Sequence, residues 1–191
     1  MPGRFACTLV ACVILLTGGV AAQLPPLPIR ITSWAVNMSN IATGSNAVVY
    51  ITIDRWSTDA ERQGLMTTFF EKGPEKLLDA VQDTKPVGRI RFPNTLGYDL
   101  RFARHFPGED GGDRFVIMTD RRIGFAEASN QPRTIDYPFT LIEIRVGKDG
   151  KGEGKMSVAT KITFNKKHNS VELENYSSEP VRLTNVKVDK K

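Results

Sequence analysis

Residues 139–163 read FTLIEIRVGKDGKGEGKMSVATKIT, two apolar-rich runs on either side of a segment dominated by glycine and lysine. In each run, every second side chain is apolar or is threonine: Thr140, Ile142, Ile144 and Val146 in the first, and Met156, Val158, Thr160 and Ile162 in the second. A period of two places these side chains on one face of a β-strand. The stretch therefore predicts a β-hairpin with strands at 139–146 and 155–163, each with one face in the core.

Two further strands are predicted on the C-terminal side, at 170–176 and 181–188. The connections before them, 165–169 and 177–180, are short and rich in Asn, Lys, Ser and Pro. Such short connections join antiparallel neighbours, because a parallel pair needs a much longer crossover. The four C-terminal strands are therefore predicted to form an antiparallel meander.

The same signal predicts five more strands toward the N terminus, at 29–36, 47–54, 87–92, 98–105 and 114–119. They combine apolar alternation with residues that favour strands. The last two are predicted to form a hairpin, since 107–113 between them is dense in glycine and aspartate.

A helical insertion is predicted at 58–83. Thr58 followed by Glu61 forms a capping box, which marks the start of a helix. Gly73 is expected to end this helix, and Pro74 suits the first turn of a second one. The apolar residues of both segments recur at helical spacing: Leu65, Met66, Phe69 and Phe70 in the first, and Leu77, Leu78 and Val81 in the second.

These elements predict an α+β fold that is mostly antiparallel β. Because helices do not alternate with the strands, a doubly wound parallel sheet is disfavoured. We expect a curled sheet of about nine strands, barrel-like or sandwich-like, with a two-helix insertion. It would form a single domain over 29–191, preceded by a proline-rich lead at 23–28.

Residues 1–22 are predicted to be a secretory signal peptide. Arg4 precedes an apolar run, 5–16, that is too short to span a bilayer comfortably, and small residues at 20–22 suit cleavage after Ala22. Export to the periplasm or the medium is therefore expected. The alternative is a lipoprotein, because the residues before Cys12 resemble a lipobox, although this cysteine lies in the middle of the apolar run. No integral membrane span is predicted after removal of the signal.

Cysteine content and charge limit the classes of partner. Cys7 and Cys12 both lie within the predicted signal, so the domain that follows has no thiol for a disulfide. Removal of Arg4 with the signal lowers the formal net charge from +5 to +4. Acidic residues are interleaved with the basic ones along the chain, which argues against nucleic acid as a partner.

The residues give little indication of catalysis. His105 and His168 are the two histidines, and no cysteine accompanies them, so no metal site is predicted. No nucleophile elbow, phosphate-binding loop or dinucleotide fingerprint occurs, and no cofactor is predicted. The acidic residues of 149–154 and of 109–113 are better explained by hairpin turns and a solvated loop tip than by calcium binding.

Two groups of residues are candidates for binding a small anionic ligand. Arg89 and Arg91 share one face of a strand, and Arg101 on the next strand could join them to grip a carboxylate or phosphate. Alternatively, Asp99 and other acids pair with these arginines in solvent.

The second group lies in the long irregular segment 120–137, where Arg133, Asp136 and Tyr137 would form the rim of a site. Trp56 and Tyr98 are candidates for aromatic walls of that site or, alternatively, for core packing.

Four stretches carry a resemblance to known proteins: 94–101 (NTLGYDLR), 136–143 (DYPFTLIE), 149–155 (DGKGEGK) and 172–176 (ELENY). Over about 54–186 the chain resembles a group of small secreted bacterial proteins that has no assigned function. The resemblance implies a bacterial protein of the periplasm or the medium. It carries over no catalytic residue and no ligand.

Three functional hypotheses follow. The first is a non-catalytic ligand-binding module of the bacterial envelope, and the second is a structural or assembly protein that pairs with an envelope protein through a sheet edge. The third is an enzyme of unfamiliar type that uses His105 with Asp99, which alternation places on the same strand face.

Overall fold

The computed structural model describes residues 24–39, 43–108, 110–125, 136–165, 167–168, 170–175 and 179–190. Within these ranges the chain forms ten strands and two α-helices. They are β1 (Ile29–Val36), β2 (Asn46–Ile53), α1 (Asp59–Thr67), α2 (Leu77–Gln82), β3 (Gly88–Arg91), β4 (Tyr98–Leu100), β5 (Phe102–Pro107), β6 (Asp113–Thr119), β7 (Phe139–Val146), β8 (Gly152–Asn165), β9 (Ser170–Asn175) and β10 (Val181–Lys190).

The strands form one antiparallel sheet in the order β4-β3-β2-β1-β10-β8-β7-β6-β5, and β9 pairs with β8 beside this path. The two ends of the path meet, because β4 and β5 are separated only by Arg101. The backbone N–H of Arg101 donates to the carbonyl of Met118 on β6 at 2.9 Å. The sheet is therefore a nearly closed barrel, which confirms the predicted α+β curled sheet.

The predicted meander of the last four strands is wrong in one respect, because β10 does not follow β9 in the sheet. β8 is 14 residues long and accepts two partners in succession along one edge. Its first half pairs with β10, as Met156 with Val181, and its second half pairs with β9, as Thr160 with Asn175. The β7–β8 and β8–β9 hairpins form as predicted.

Large side chains fill the interior of the barrel. The predicted inward residues of β7 are all buried, and on β8 so are Met156, Val158 and Thr160. Phe115, Ile51 and Ile117 are at most 1% exposed. Packed side chains therefore occupy the described interior of the barrel.

The helical insertion packs over one part of the sheet as a second apolar cluster. Its core comprises Leu65, Phe69, Leu77, Val81, Met118 and Phe139. The predicted capping box is present: Thr58 Oγ1 accepts from the Glu61 N–H at 3.1 Å, and a Glu61 carboxylate oxygen accepts from the Thr58 N–H at 2.8 Å. After a π-helical turn, Gly73 ends the first helical segment with φ at 95°. Glycine suits this conformation because it has no Cβ.

Candidate functional site

The two arginines predicted to share a face do so, on the outside of β3. Arg89 lies directly opposite Asp99 on β4, and its Nη2 is 3.2 Å from the Asp99 carboxylate. The guanidinium of Arg91 lies 4.7 Å from the ring centre of Tyr50 on β2, a cation–π contact. Each of these arginines therefore has its own neighbour on an exposed sheet face.

Arg101 has different neighbours. Its Nη1 donates to the carbonyl of Thr84, just after α2, at 2.8 Å. Its Nε lies 3.5 Å from a carboxylate oxygen of Asp120, whose side chain is only 5% exposed, without the geometry of a hydrogen bond. Arg101 makes neither of the contacts that position Arg89 and Arg91. It links the end of the helical insertion to the end of β6.

The residues predicted for the rim lie in a third part of the fold. The Tyr137 hydroxyl donates to the Glu174 carboxylate on β9. Asp136 is exposed and lines a cleft of about 550 Å³ between the start of β7 and residues 74–79, which include the start of α2. Arg133 lies outside the described residues.

The His105 imidazole has an acidic partner, but it is not the expected one. Its Nε2 lies 2.7 Å from the Asp113 carboxylate, whereas Asp99 binds Arg89. The hypothesis that pairs His105 with Asp99 is therefore wrong. The His105 side chain is 5% exposed and Asp113 is 21% exposed, so the acid lies nearer to solvent than the base. A general base must reach its substrate. A buried histidine behind a more exposed aspartate therefore suits a packing role better than catalysis.

Trp56 belongs to the same buried neighbourhood. Its ring stacks on Phe115 at 6.2 Å and lies at an angle to the His105 ring at 6.0 Å. Tyr98 also packs against the barrel core. Both aromatic residues therefore have the packing role that the sequence offered as the alternative to walls of a binding site.

The arrangement that sequence analysis missed is a basic face on the outside of the barrel. Among the described residues, the outer surface of β4, β3, β2, β1, β10 and the barrel half of β8 carries six cations and three carboxylates. The cations are Arg30, Arg89, Arg91, Lys155, Arg182 and Lys187, and the carboxylates are Asp99, Glu153 and Asp189. We call this surface the basic face. Trp34 lies on it and is 45% exposed.

Sheet pairing assembles the basic face from distant parts of the chain. Pairing of β1 with β10 places Thr32 opposite Lys187, and pairing of β2 with β3 places Tyr50 opposite Arg91. Acids and bases are interleaved along the sequence, but strand pairing gathers an excess of cations on one surface of the sheet. Strand order would have been needed to find it.

Two cations of the basic face, Lys155 on β8 and Arg182 on β10, lie directly opposite each other. Neither has an acidic partner within ion-pair distance among the described residues. Like charges in directly opposed positions destabilise a sheet. The pair lines a shallow cleft of about 280 Å³ together with Glu143, Arg145, Glu153 and Gly154.

Glu143, beside this cleft, is already occupied by two arginines. One of its oxygens accepts from Arg114 Nε at 2.8 Å and from Arg145 Nε at 3.0 Å. Burial raises the pKa of Glu143, but the hydrogen bonds from the two arginines outweigh it, so its pKa lies below the ordinary value. Glu143 is therefore a carboxylate shared by two arginines. It also lies directly opposite Lys155, but it forms its ion pairs with Arg114 and Arg145.

Within the described ranges, no helix has the length and apolar character needed to cross a bilayer. Nor does that part of the chain bring together three or more His, Cys, Asp or Glu side chains that could hold a metal ion. Comparisons with protein-family models, with curated proteins and with solved structures found no match.

Proposed function

We propose that this protein is a non-catalytic binding protein of the bacterial envelope, exported by a signal peptide at 1–22, and that its basic face binds an anionic ligand. The observation that carries the proposal is the direct opposition of Lys155 and Arg182, neither of which forms an ion pair with a described acid, since Glu143 opposite Lys155 pairs with two arginines. A bound carboxylate or phosphate would remove their mutual repulsion and accept hydrogen bonds from both side chains.

The shape of the basic face favours an extended ligand over a small one. Packed side chains occupy the described barrel interior, whereas small-molecule sites are normally enclosed and concave. An extended polyanion could instead contact several cations at once, and each contact would add to its affinity.

The aromatic residues on the basic face suggest what kind of polyanion this is. Trp34 lies opposite Val48 on β2 and Thr184 on β10, within the same sheet surface as Arg182. An exposed indole ring provides a flat apolar surface with low conformational entropy. We therefore favour a carboxylated polysaccharide, whose sugar rings would pack on Trp34 while its carboxylates bind the cations.

Polygalacturonate is the probe that tests this proposal, with uncharged dextran for comparison. Isothermal titration calorimetry should detect binding of polygalacturonate and none of dextran. The double variant Lys155→Gln/Arg182→Gln should weaken binding at least about tenfold, equivalent to about 1.4 kcal/mol. The variant Lys72→Gln/Lys85→Gln removes the same charge from exposed positions outside the strands of the basic face.

The matched control decides between a site and a general charge effect. If both double variants weaken binding equally, the cations of the basic face have no special role and the proposal fails. It also fails if the wild-type protein does not bind polygalacturonate at low ionic strength.

Export is tested separately. When the full chain is expressed in a bacterial host, the recovered protein should begin at Gln23 by intact-mass measurement. A protein that keeps Met1, or one whose mass shows acylation at Cys12, would contradict cleavage after Ala22.

A further inference from the structure

The second edge of β9 is open. β9 pairs with β8 along one edge, from Ser170 opposite Asn165 to Asn175 opposite Thr160. No strand in the described part of the chain pairs with its other edge. An open edge presents backbone N–H and C=O groups that can bind another extended chain.

One face of β9 is apolar and exposed. Val171 lies opposite Phe164, and Leu173 lies opposite Ile162. Val171 and Leu173 are 47% and 54% exposed, although their cross-strand neighbours pack against the apolar cluster under the helical insertion. The ring of Phe164 contacts Phe70 at 5.3 Å, so the apolar surface of β9 continues into an aromatic cluster.

The opposite face of β9 is acidic. Strand alternation places Glu172 and Glu174 on this face, and both side chains are exposed. Glu172 accepts a hydrogen bond from Asn165 at 2.7 Å, and Glu174 accepts one from Tyr137. These hydrogen-bond partners are neutral. Glu174 also lies directly opposite Lys161 on β8, whereas Glu172 lies opposite Thr163, so Glu172 is the carboxylate with no cation directly across the β8–β9 pair.

We infer that the open edge of β9 binds an extended segment of a partner polypeptide in which basic residues alternate with apolar ones. The backbone of that segment would add a strand to the sheet. Its apolar side chains would lie beside Val171 and Leu173, and its basic side chains beside Glu172 and Glu174. Opposite charges in cross-strand positions stabilise such a pairing.

A second copy of this chain fits the edge poorly. If β9 paired antiparallel with β9, the registers that place Leu173 opposite Val171 or opposite Leu173 would also place glutamates opposite each other. The register with Val171 opposite Val171 avoids this but brings together only that one apolar pair. A shift of one residue would place glutamates beside Val171 or Leu173 instead. Charge complementarity therefore favours a basic partner over self-association.

Three synthetic peptides test the inference. The first, KVKVKVKV, alternates lysine with valine; the second, KKKKVVVV, has the same composition without alternation; the third, EVEVEVEV, reverses the charge. Each would be titrated into the purified protein by isothermal titration calorimetry. The alternating lysine peptide should bind at least about tenfold more tightly than either of the others.

Two variants locate the binding. Glu172→Lys should weaken binding of KVKVKVKV at least about tenfold, whereas Asp54→Lys, the same charge change at an exposed position away from β9, should leave it within about twofold. Leu173→Ser should weaken binding without lowering the melting temperature, because the side chain is already 54% exposed.

Three outcomes would overturn the inference. The first is equal binding of KVKVKVKV and KKKKVVVV, which would show attraction to charge without strand pairing. The second is failure of KVKVKVKV to bind at about 1 mM. The third is a dimer by light scattering that dissociates in Leu173→Ser, which would assign the edge to a second copy of the chain.

Discussion

The guanidinium group of Arg55 binds both carboxylate oxygens of Glu61, with N···O distances of 2.9 and 3.0 Å. Arg55 also donates to the carbonyls of Lys85 and Pro86, at 2.6 and 3.2 Å. One side chain thus joins the start of the helical insertion to the segment that enters β3. Glu61 contributes to this link and to the capping box at the same time.

The link through Glu61 should make stability depend on pH. The hydrogen bond from Arg55 is the main cause that holds the pKa of Glu61 below its ordinary value of 4.5. A carboxyl group whose pKa is lower in the folded state than in the unfolded state stabilises the fold at pH values above its unfolded-state pKa. This contribution is lost as the pH falls through its folded-state pKa. Glu61→Gln should therefore lower the free energy of unfolding by about 1 kcal/mol at neutral pH, and the difference should shrink as the pH falls below 4.5.

Urea unfolding at several pH values measures this difference. Glu71→Gln, at an exposed position in the same helical segment, is the control and should change the unfolding midpoint little at any pH. A difference between Glu61→Gln and wild type that persists at low pH would contradict ionic stabilisation.

Close contact between β2 and β3 makes Gly88 a second sensitive position. A Cβ at Gly88 would lie 2.0 Å from the backbone carbonyl oxygen of Thr52, and backbone cannot move aside cheaply. Gly88→Ala should therefore lower the free energy of unfolding by about 2 to 3 kcal/mol. Gly64→Ala places the same methyl group in open space within α1 and should raise it by about 0.5 to 1 kcal/mol. Thermal unfolding of both variants measures the contrast, and equal effects would contradict it.

Local signals were sufficient to predict most of the elements. The Thr58–Glu61 box located the start of α1, and alternation located the buried face of β7, because both depend on residues close in sequence. The start of β8 was missed, since Gly152 and Gly154 suggested a turn. In the fold they lie within the strand, where a Cβ at Gly152 would come 2.8 Å from Val186 and one at Gly154 2.6 Å from the Glu143 carbonyl.

Strand order and contacts between distant residues could not be predicted in the same way. β9 and β10 both pair with one edge of β8 because that strand is long enough for two partners. The alternation pattern does not predict the length of a strand reliably. The basic face likewise depends on the pairing of β1 with β10, which brings the two ends of the domain together. Arg89 and Arg91 were identified from sequence, but Lys155 and Arg182 were not, since they become neighbours only when β8 meets β10.

Arg101 and Asp120 should behave as a buried pair in which each residue depends on the other. The Asp120 side chain is 5% exposed, so removal of its cation would leave a charge with little access to water. Arg101→Met should lower the free energy of unfolding by about 3 kcal/mol, and adding Asp120→Ala should recover part of that loss. A double-mutant cycle by urea unfolding gives the coupling between them. Strictly additive losses would show that the two side chains act independently.

Trp34 offers a direct optical test of the proposed binding face. Of the two tryptophans in the chain, Trp34 is 45% exposed on the basic face, whereas Trp56 is partly buried and stacks on Phe115 of the core. Polygalacturonate should therefore change the fluorescence of Trp56→Phe, which keeps Trp34, and leave that of Trp34→Phe unchanged.

The fluorescence change should also depend on salt. Raising the salt concentration from 0.1 to 1 M shortens the screening length from about 10 Å to about 3 Å. Attraction between the polyanion and the cations of the basic face should weaken accordingly, and more polygalacturonate should be needed for half of the change. A response that is confined to Trp56, or one that is insensitive to salt, would place the ligand elsewhere, because only Trp34 lies among those cations.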